Sequence, residues 1–353
     1  MNMLTDQIDH VIGVDPDRDR ITAAIVAVGT GGELQRREFP ATRAGYRAAI
    51  GWANGLTESV SRVWSIEGAG SYGAGLAMTL QAEGEQVVEF DRPATKATRD
   101  GAKTDGLDAV RAARELLGRT KWAQPRARGE REAMRVLLVA RNSAQVSRVA
   151  AINELKALVV TAPVDLRESF RGLSTAKLVE RCAHLRPNGD EEHAATKLAL
   201  RLLARRVEQH RSELEVIDAE LARLTESTVP HLLAEFGVGP ICAAQVYVAW
   251  SHPGRCRNEQ AFARLAGVCP IPATSGQNQT RHRLNRGGDR QLNRAVHTIV
   301  TVRQRHDPAT REYIDRAVSQ GKTPREARRC LKRYVARRLW RVLENPPTPL
   351  DDL

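Results

Sequence analysis

The first ninety residues constrain the fold most, because their apolar runs alternate in a way that a sheet with attached helices satisfies. HVIGVDPD (10–17) and ITAAIVAV (21–28) are short β-branched runs separated by the polar PDRDR, and the alternating GELQRREF (32–39) follows. Together they predict a three-stranded antiparallel meander. RAGYRAAIGWANGL then has helical spacing at Tyr46, Ile50 and Ala53, and a strand over Arg62–Glu67 is broken by glycines. A helix through Gly75–Ala82, a strand over Gln86–Phe90, a basic loop and a helix starting at Asp105 complete the segment. The order β-β-β-α-β-α-β-α implies a mixed sheet with helices on its faces.

Acidic residues fall at the ends of these elements. Asp15 closes the first strand and Glu67 the fourth, while KTDGLDA (103–109) sets Asp105 and Asp108 three residues apart at the start of a helix. That spacing puts both carboxylates on one helix face. Two readings fit the pair: Thr104 or Asp105 caps the helix and acids complement its dipole, or the pair binds a metal. In the ribonuclease H-like arrangement with this element order, the first and fourth strands are neighbours and the Asp105 helix packs beside them. Asp15, Glu67, Asp105 and Asp108 then converge. An oxygen-only set suits Mg²⁺ or Mn²⁺ and not zinc. Two such ions about 3.5–4 Å apart stabilise the attacking and leaving oxygens of phosphoryl transfer.

Beyond Gln124 the chain becomes helical and charged. Apolar residues at Met134, Leu137, Leu138, Val149, Ile152, Leu155 and Leu158, and again at Leu198, Leu202, Val207, Leu214, Ile217, Leu221 and Leu224, recur at three and four. They predict an antiparallel helical pair or coiled coil, either a spacer or a place to dimerise. Four regions follow: a sheet domain (1–123), a helical coiled-coil linker (124–228), a mostly helical C-terminal domain (229–344) and a disordered proline-rich tail (345–353). The expected class is α/β plus α.

In the C-terminal domain, Gly237 and Gly239 between apolar helical segments fit a helix-hairpin-helix whose backbone N–H groups approach a DNA phosphate, or a plain helix-helix turn. Arg281, Arg283, Arg286, Arg290 and Arg294 crowd around Gly287 and Gly288. Nine Lys and Arg lie between Lys322 and Arg341, Arg329, Lys332 and Arg333 among them, against Glu326 alone. Such density fits either a solvated helix face or phosphate binding, and with no acid at i+4 to offset the charge these residues are expected to be phosphate ligands. Ser275, in PATSGQ ahead of the arginines, is either an ordinary Ser-Gly turn or a nucleophile for a phosphodiester. No Gly-x-Ser-x-Gly elbow surrounds it, so acyl chemistry has no support.

With 54 Lys+Arg against 42 Asp+Glu, the formal net charge of +12 favours a polyanion. Aromatics make up only 4%, so contacts to phosphate should outweigh base stacking. Five cysteines without a CxxC pair argue against a disulfide scaffold or zinc knuckle. Without a secretory N-terminal run or eighteen consecutive apolar residues, the expectation is a soluble cytoplasmic protein with no membrane partner.

IGVDPDRD, WSIEGAGSYG, GAKTDGLDAVRAAREL, EFGVGPICAAQ, LAGVCPIPATSGQ, RLNRGGDRQLNRAVHTI and RRCLKRYVARRLWRVL, in this order, resemble the sequence blocks of insertion sequence 110 transposases. That family joins a DEDD RuvC-like nuclease domain to a C-terminal transposase domain. The resemblance implies that Asp15, Glu67, Asp105 and Asp108 hold Mg²⁺ and that Ser275 forms a covalent phosphoserine link to DNA. It also implies double-stranded DNA as partner, a dimer or tetramer in which one subunit's nuclease domain meets another's serine domain, and in some members a structured guide RNA. Thr274 stands where relatives often carry a second serine, and Asp91 where many have a neutral residue. Two other functions fit the residues: a RuvC-like junction nuclease that uses water and needs no Ser275, and a binding protein that keeps the nuclease fold as a scaffold.

Overall fold

The computed structural model describes residues 7–90, 105–118, 122–272, 282–283, 285 and 287–346. The chain forms two units, Met1–Ala127 and Arg128–Leu353.

In the first unit, β1 (His10–Pro16), β2 (Arg20–Ala27) and β3 (Glu33–Pro40) form the meander. After α1 (Arg43–Asn54), β4 (Arg62–Glu67) returns parallel to β1, and after α2 (Ala74–Ala82), β5 (Val87–Phe90) lies parallel to β4. The sheet order β3-β2-β1-β4-β5 therefore makes the first and fourth strands neighbours, as a ribonuclease H-like domain requires. β1 and β4 are apolar on both faces because helices cover both. Ile12, Val14, Trp64 and Ile66 pack with Tyr46, Leu76 and Leu80 of α1 and α2. Val11, Val63 and Val88 pack with Ala109, Val110 and Leu116 of α3 (Asp105–Leu117) on the opposite face. β3 is the exposed edge, charged along its length with only Phe39 buried, a composition that discourages pairing with another strand.

Among its described residues the second unit is helical apart from loops and a two-residue ladder of β6 (Ile271–Pro272) with β7 (His282–Arg283). α4 (Glu130–Thr161) and α7 (Glu191–Thr228) are joined through the short α5 (Val164–Ser169) and α6 (Thr175–Ala183). They run antiparallel: Met134 clusters with Leu221 and Leu224, Arg141 pairs with Asp218 at 2.6 Å, and Leu155 clusters with Leu200 and Ala204. The apolar positions do not all face the seam. Val149, Leu158, Leu198 and Leu202 are exposed, because the buried stripe of α4 runs instead through Met134, Ala144, Ala151 and Leu155.

A second stripe of α4 carries Val136, Val139, Ser143, Val146, Ala150, Asn153, Ala157 and Val160, all exposed. Steps of three and four, without one charged residue, make it a heptad seam in waiting.

The rest of the unit is α8 (Pro230–Leu233), α9 (Pro240–Trp250), α10 (Glu259–Leu265), α11 (Arg290–His306), α12 (Pro308–Ser319) and α13 (Pro324–Glu344). They enclose one core built on Phe262, Val296, Ile299, Leu331 and Leu339. Among the described residues no helix is long and apolar enough to cross a membrane.

Candidate functional site

Strand pairing sets the first two acids side by side. Val14 of β1 lies opposite Ile66 of the parallel β4, so Asp15 and Glu67 are the next residues on each strand. Side chains alternate along a strand, so Asp15 shares a face with Gly13, and Glu67 with Ser65. That face belongs to α3. Ser65 Oγ donates to the Ala112 carbonyl at 2.8 Å, and a Cβ on Gly13 would stand 2.0 Å from the Ala109 carbonyl oxygen and 2.6 Å from the Ala113 nitrogen. Both acids are half-buried.

The direction of α3 decides where its own acids fall. Arg114, near its C-terminal end, donates from Nε to the Gly31 carbonyl at 3.0 Å, and Gly31 lies in the turn after β2, beside the first residues of β1. α3 thus runs antiparallel to β1, and its N-terminus lies at the Asp15 end. From Gly13 to Asp15 is about 7 Å along a strand, and from Ala109 back to Asp105 about 6 Å along a helix. The first turn of α3 is therefore level with the carboxylate end of the sheet. Asp108 lies in that turn, half-buried, its Oδ1 accepting from Arg111 Nη1 at 3.0 Å. Asp105 is the first residue of α3, and its side chain lies outside the described residues.

Asp15, Glu67 and the start of α3 share one end of one face, and their donors are all carboxylate oxygens, which fit a hard divalent cation. Among the described residues no three Asp, Glu, His or Cys side chains form a finished ion cage. After Glu67 the chain turns sharply: Gly68 has φ +64°, and a Cβ on Gly73 would meet Ile66 at 2.6 Å and Pro16 at 3.3 Å. The loop is folded tightly onto the strand ends that carry both acids.

Gly13 and Ser65 are the positioning residues that patterning alone passes over. The available signal is a small residue two positions before each acid, in IGVD and WSIE. Small residues there let a helix backbone lie directly on the sheet. Gly13→Ala is expected to cost about 3 kcal/mol through overpacking and to shift the Asp108 turn. Urea unfolding checks this; a variant as stable as the parent would mean that α3 does not rest on β1.

In the second unit, Thr274, Ser275, Arg281 and Arg286 lie outside the described residues, as does Asp91 in the first. Arg283 is in β7. Arg290 and Arg294 are exposed on α11, whose N-terminus Asp289 caps by accepting from the Gln291 and Leu292 nitrogens. Gly237, at φ +80°, lies in the turn between the four-residue α8 and α9, and Gly239 precedes Pro240 at the start of α9. The turn leans on α11, where Arg303 Nη1 donates to the Phe236 carbonyl at 3.3 Å.

α13 divides into two electrostatic halves. Arg337 and Arg341 pair with Glu259, and Arg338 pairs with Glu235 at 2.8 Å, so these cations find acids on other segments where no i+4 acid exists. Arg329 is exposed, Lys332 and Arg333 are half-buried, and the Arg333 guanidinium lies 5.6 Å from the centre of the Tyr334 ring. Burial, with Arg329 nearby, pulls the Lys332 ammonium below its ordinary pKa.

Comparison with known proteins places both segments. Residues 12–162 match the family model of the DEDD transposase of the IS110 type, described as "Transposase", and residues 230–315 match "Transposase IS116/IS110/IS902 family". The "Insertion element IS900 uncharacterized 42 kDa protein" of Mycobacterium paratuberculosis is 34% identical over 84 residues, which are 24% of this chain and 21% of that protein. The "Insertion element IS110 uncharacterized 43.6 kDa protein" of Streptomyces coelicolor is 32% identical over 113 residues, 31% of this chain and 28% of the relative. The chain thus spans between a fifth and a third of the length of these curated relatives.

Proposed function

We infer that this chain, which belongs to the IS116/IS110/IS902 family of transposases, cuts and rejoins DNA strands to move an insertion sequence. The observation that carries the reading is the carboxylate end of the sheet, where Asp15 and Glu67 on neighbouring parallel strands share a face with the first turn of α3. Asp15, Glu67, Asp105 and Asp108 would hold a divalent cation, Mg²⁺ or Mn²⁺, which when bound supplies positive charge to a phosphoryl group.

Ser275 is the proposed nucleophile, on the strength of its match to the family's Ser-Gly motif. Its Oγ would form a bond to phosphorus as the bond to the leaving sugar oxygen breaks; the hydroxyl proton goes to solvent and the leaving oxygen takes one up. Gly237, Gly239 and the arginines from Arg281 to Arg294 would hold the DNA backbone, together with Arg329, Lys332 and Arg333. The four-part division at residues 123, 228 and 344 belongs to the same proposal.

Ser275→Ala is expected to yield no covalent protein–DNA adduct with the element's own end, measured by denaturing gel with and without RNA transcribed from the element flank. An adduct that persists would remove the serine from the mechanism. Cleavage without an adduct in the parent protein would favour a junction nuclease that uses water. An equal yield with and without the RNA would exclude guidance.

The homo-oligomer is proposed on the exposed α4 stripe, since a 3.5-residue apolar repeat is met by a helix of the same repeat. Val139→Glu with Val146→Glu should convert a dimer or tetramer into a monomer in light scattering. An unchanged mass would place the interface elsewhere.

A further inference from the structure

We propose that α11 and α13 together carry a binding site for the phosphate backbone of double-stranded DNA, formed by Arg294 and His297 on one helix and Arg328, Arg329 and Lys332 on the other. The ligand rests on the transposase reading; the place rests on three observations.

The first is the absence of acid. α11 has no Asp or Glu from Arg290 to His306. α13 has Glu326 and Glu344 only, one at each end. Both are engaged: Glu326 closes a capping box with Thr323, and Glu344 accepts from Trp250 Nε1 at 2.8 Å and the Gly254 nitrogen at 3.1 Å.

The second is packing. Val296 of α11 and Ala327 and Leu331 of α13 belong to one core, and His297, Arg328 and Lys332 are the residues that follow each of them. They stand within electrostatic reach of each other: His297 is held below the ordinary histidine pKa by burial first, then by Lys332 and Arg328. Arg294, three residues before His297, lies on the same stripe of α11.

The third is a missing counter-ion. Among the described residues the four cations Arg294, Arg328, Arg329 and Lys332 make no ion pair within 4 Å, Arg329 feeling Glu326 only at longer range, whereas Arg337, Arg338 and Arg341 further along α13 are all paired. Lys332 is also half-buried. Removing an ammonium from water without a partner is costly, so buried cations are normally paired. Arg328 is laid along its helix by a bond from Nε to the Pro324 carbonyl at 3.2 Å, which leaves its terminal nitrogens for a ligand. A phosphate diester supplies the absent charge and accepts from all of these donors.

Duplex phosphate fits better than a single strand. Single-strand sites interleave cations with rings on which bases stack. Tyr334, the exposed ring on α13, already meets Arg333 and lies edge-on to Tyr313.

The test uses the full chain and the double variant Arg328→Gln, Lys332→Met. Anisotropy with duplex DNA of arbitrary sequence, from 50 to 200 mM salt, should give a slope of log K against log salt that is shallower by about two in the variant. Affinity at 150 mM salt should fall roughly tenfold or more, since each phosphate contact contributes about 0.9 to that slope. Without any polyanion the variant should melt at or above the parent temperature, and tripolyphosphate should raise the melting temperature of the parent alone. An unchanged slope overturns the site. So does a variant that melts several degrees lower without anion, since its cations would then be structural. Loss of affinity for structured RNA but not for duplex overturns the DNA assignment. If the parent binds no duplex at all while tripolyphosphate still separates parent from variant, the transposase reading falls and the anion site remains.

Discussion

Asp15→Asn is expected to lower Mg²⁺-dependent strand cleavage by a factor of about 10³ or more while the melting temperature stays within a few degrees of that of the parent. Asp15 and Glu67 end neighbouring parallel strands on the face that α3 covers, and Asp108 enters the same end from the first turn of that helix. A divalent cation held at this end draws on each carboxylate charge, so neutralising one impairs the loaded protein. Asparagine keeps the shape and removes the charge, which separates the role of charge from that of shape. Cleavage of element-end DNA across an Mg²⁺ titration, beside a thermal melt, measures both. Parent-level cleavage by the variant would take the acid cluster out of the mechanism; a large drop in melting temperature would reassign Asp15 to structure.

Glu85→Ala should destabilise the first unit by about 3–5 kcal/mol, because it strands a buried cation. Arg62, the first residue of β4, has no exposed surface. Its Nε donates to Glu85 Oε2 at 2.9 Å, Nη1 to the Thr57 carbonyl at 3.1 Å and to Thr57 Oγ1 at 3.2 Å, and Nη2 to Asn54 Oδ1 at 2.6 Å and to Glu85. Trp64 Nε1 donates to the same Glu85 oxygen at 2.9 Å. The cluster thus joins the end of α1 to β4 and to the turn before β5. Removing the carboxylate leaves the guanidinium desolvated and partly unpaired, whereas Arg62→Met with Glu85→Leu removes both charges and should recover most of the loss. Urea unfolding, followed by hydrogen exchange of the β4 amides, reads the unit directly. A single variant that costs under about 1 kcal/mol would mean that water reaches Arg62.

Much of the first unit was legible because the signals are local. The run lengths of 10–17, 21–28 and 32–39, the RVWSIE strand and the helix from Asp105 all have structural counterparts. The element order then leaves few ways to close a sheet, and the observed order puts β1 beside β4. The helical pair was legible as a period but not as a face. α4 repeats at three and four along more than one stripe, so spacing could not tell which would meet α7, and Val149 and Leu158 proved exposed.

The basic helix makes the same point for charge. Reading along the chain, nothing at i+4 neutralises α13; in space, Glu235 and Glu259 do so for its C-terminal half. Ion pairing depends on distance and not on order, and those acids stand about eighty to a hundred residues away in the chain.

By itself, then, the sequence determined the elements of the first unit and their order, since these follow from side-chain type and short-range period. Only the tertiary structure decided that α3 runs against β1 with its backbone on Gly13, that Arg62 needs Glu85, and that half of α13 keeps its charge unspent. Each depends on which faces meet, and a face is chosen by packing across residues far apart in the chain.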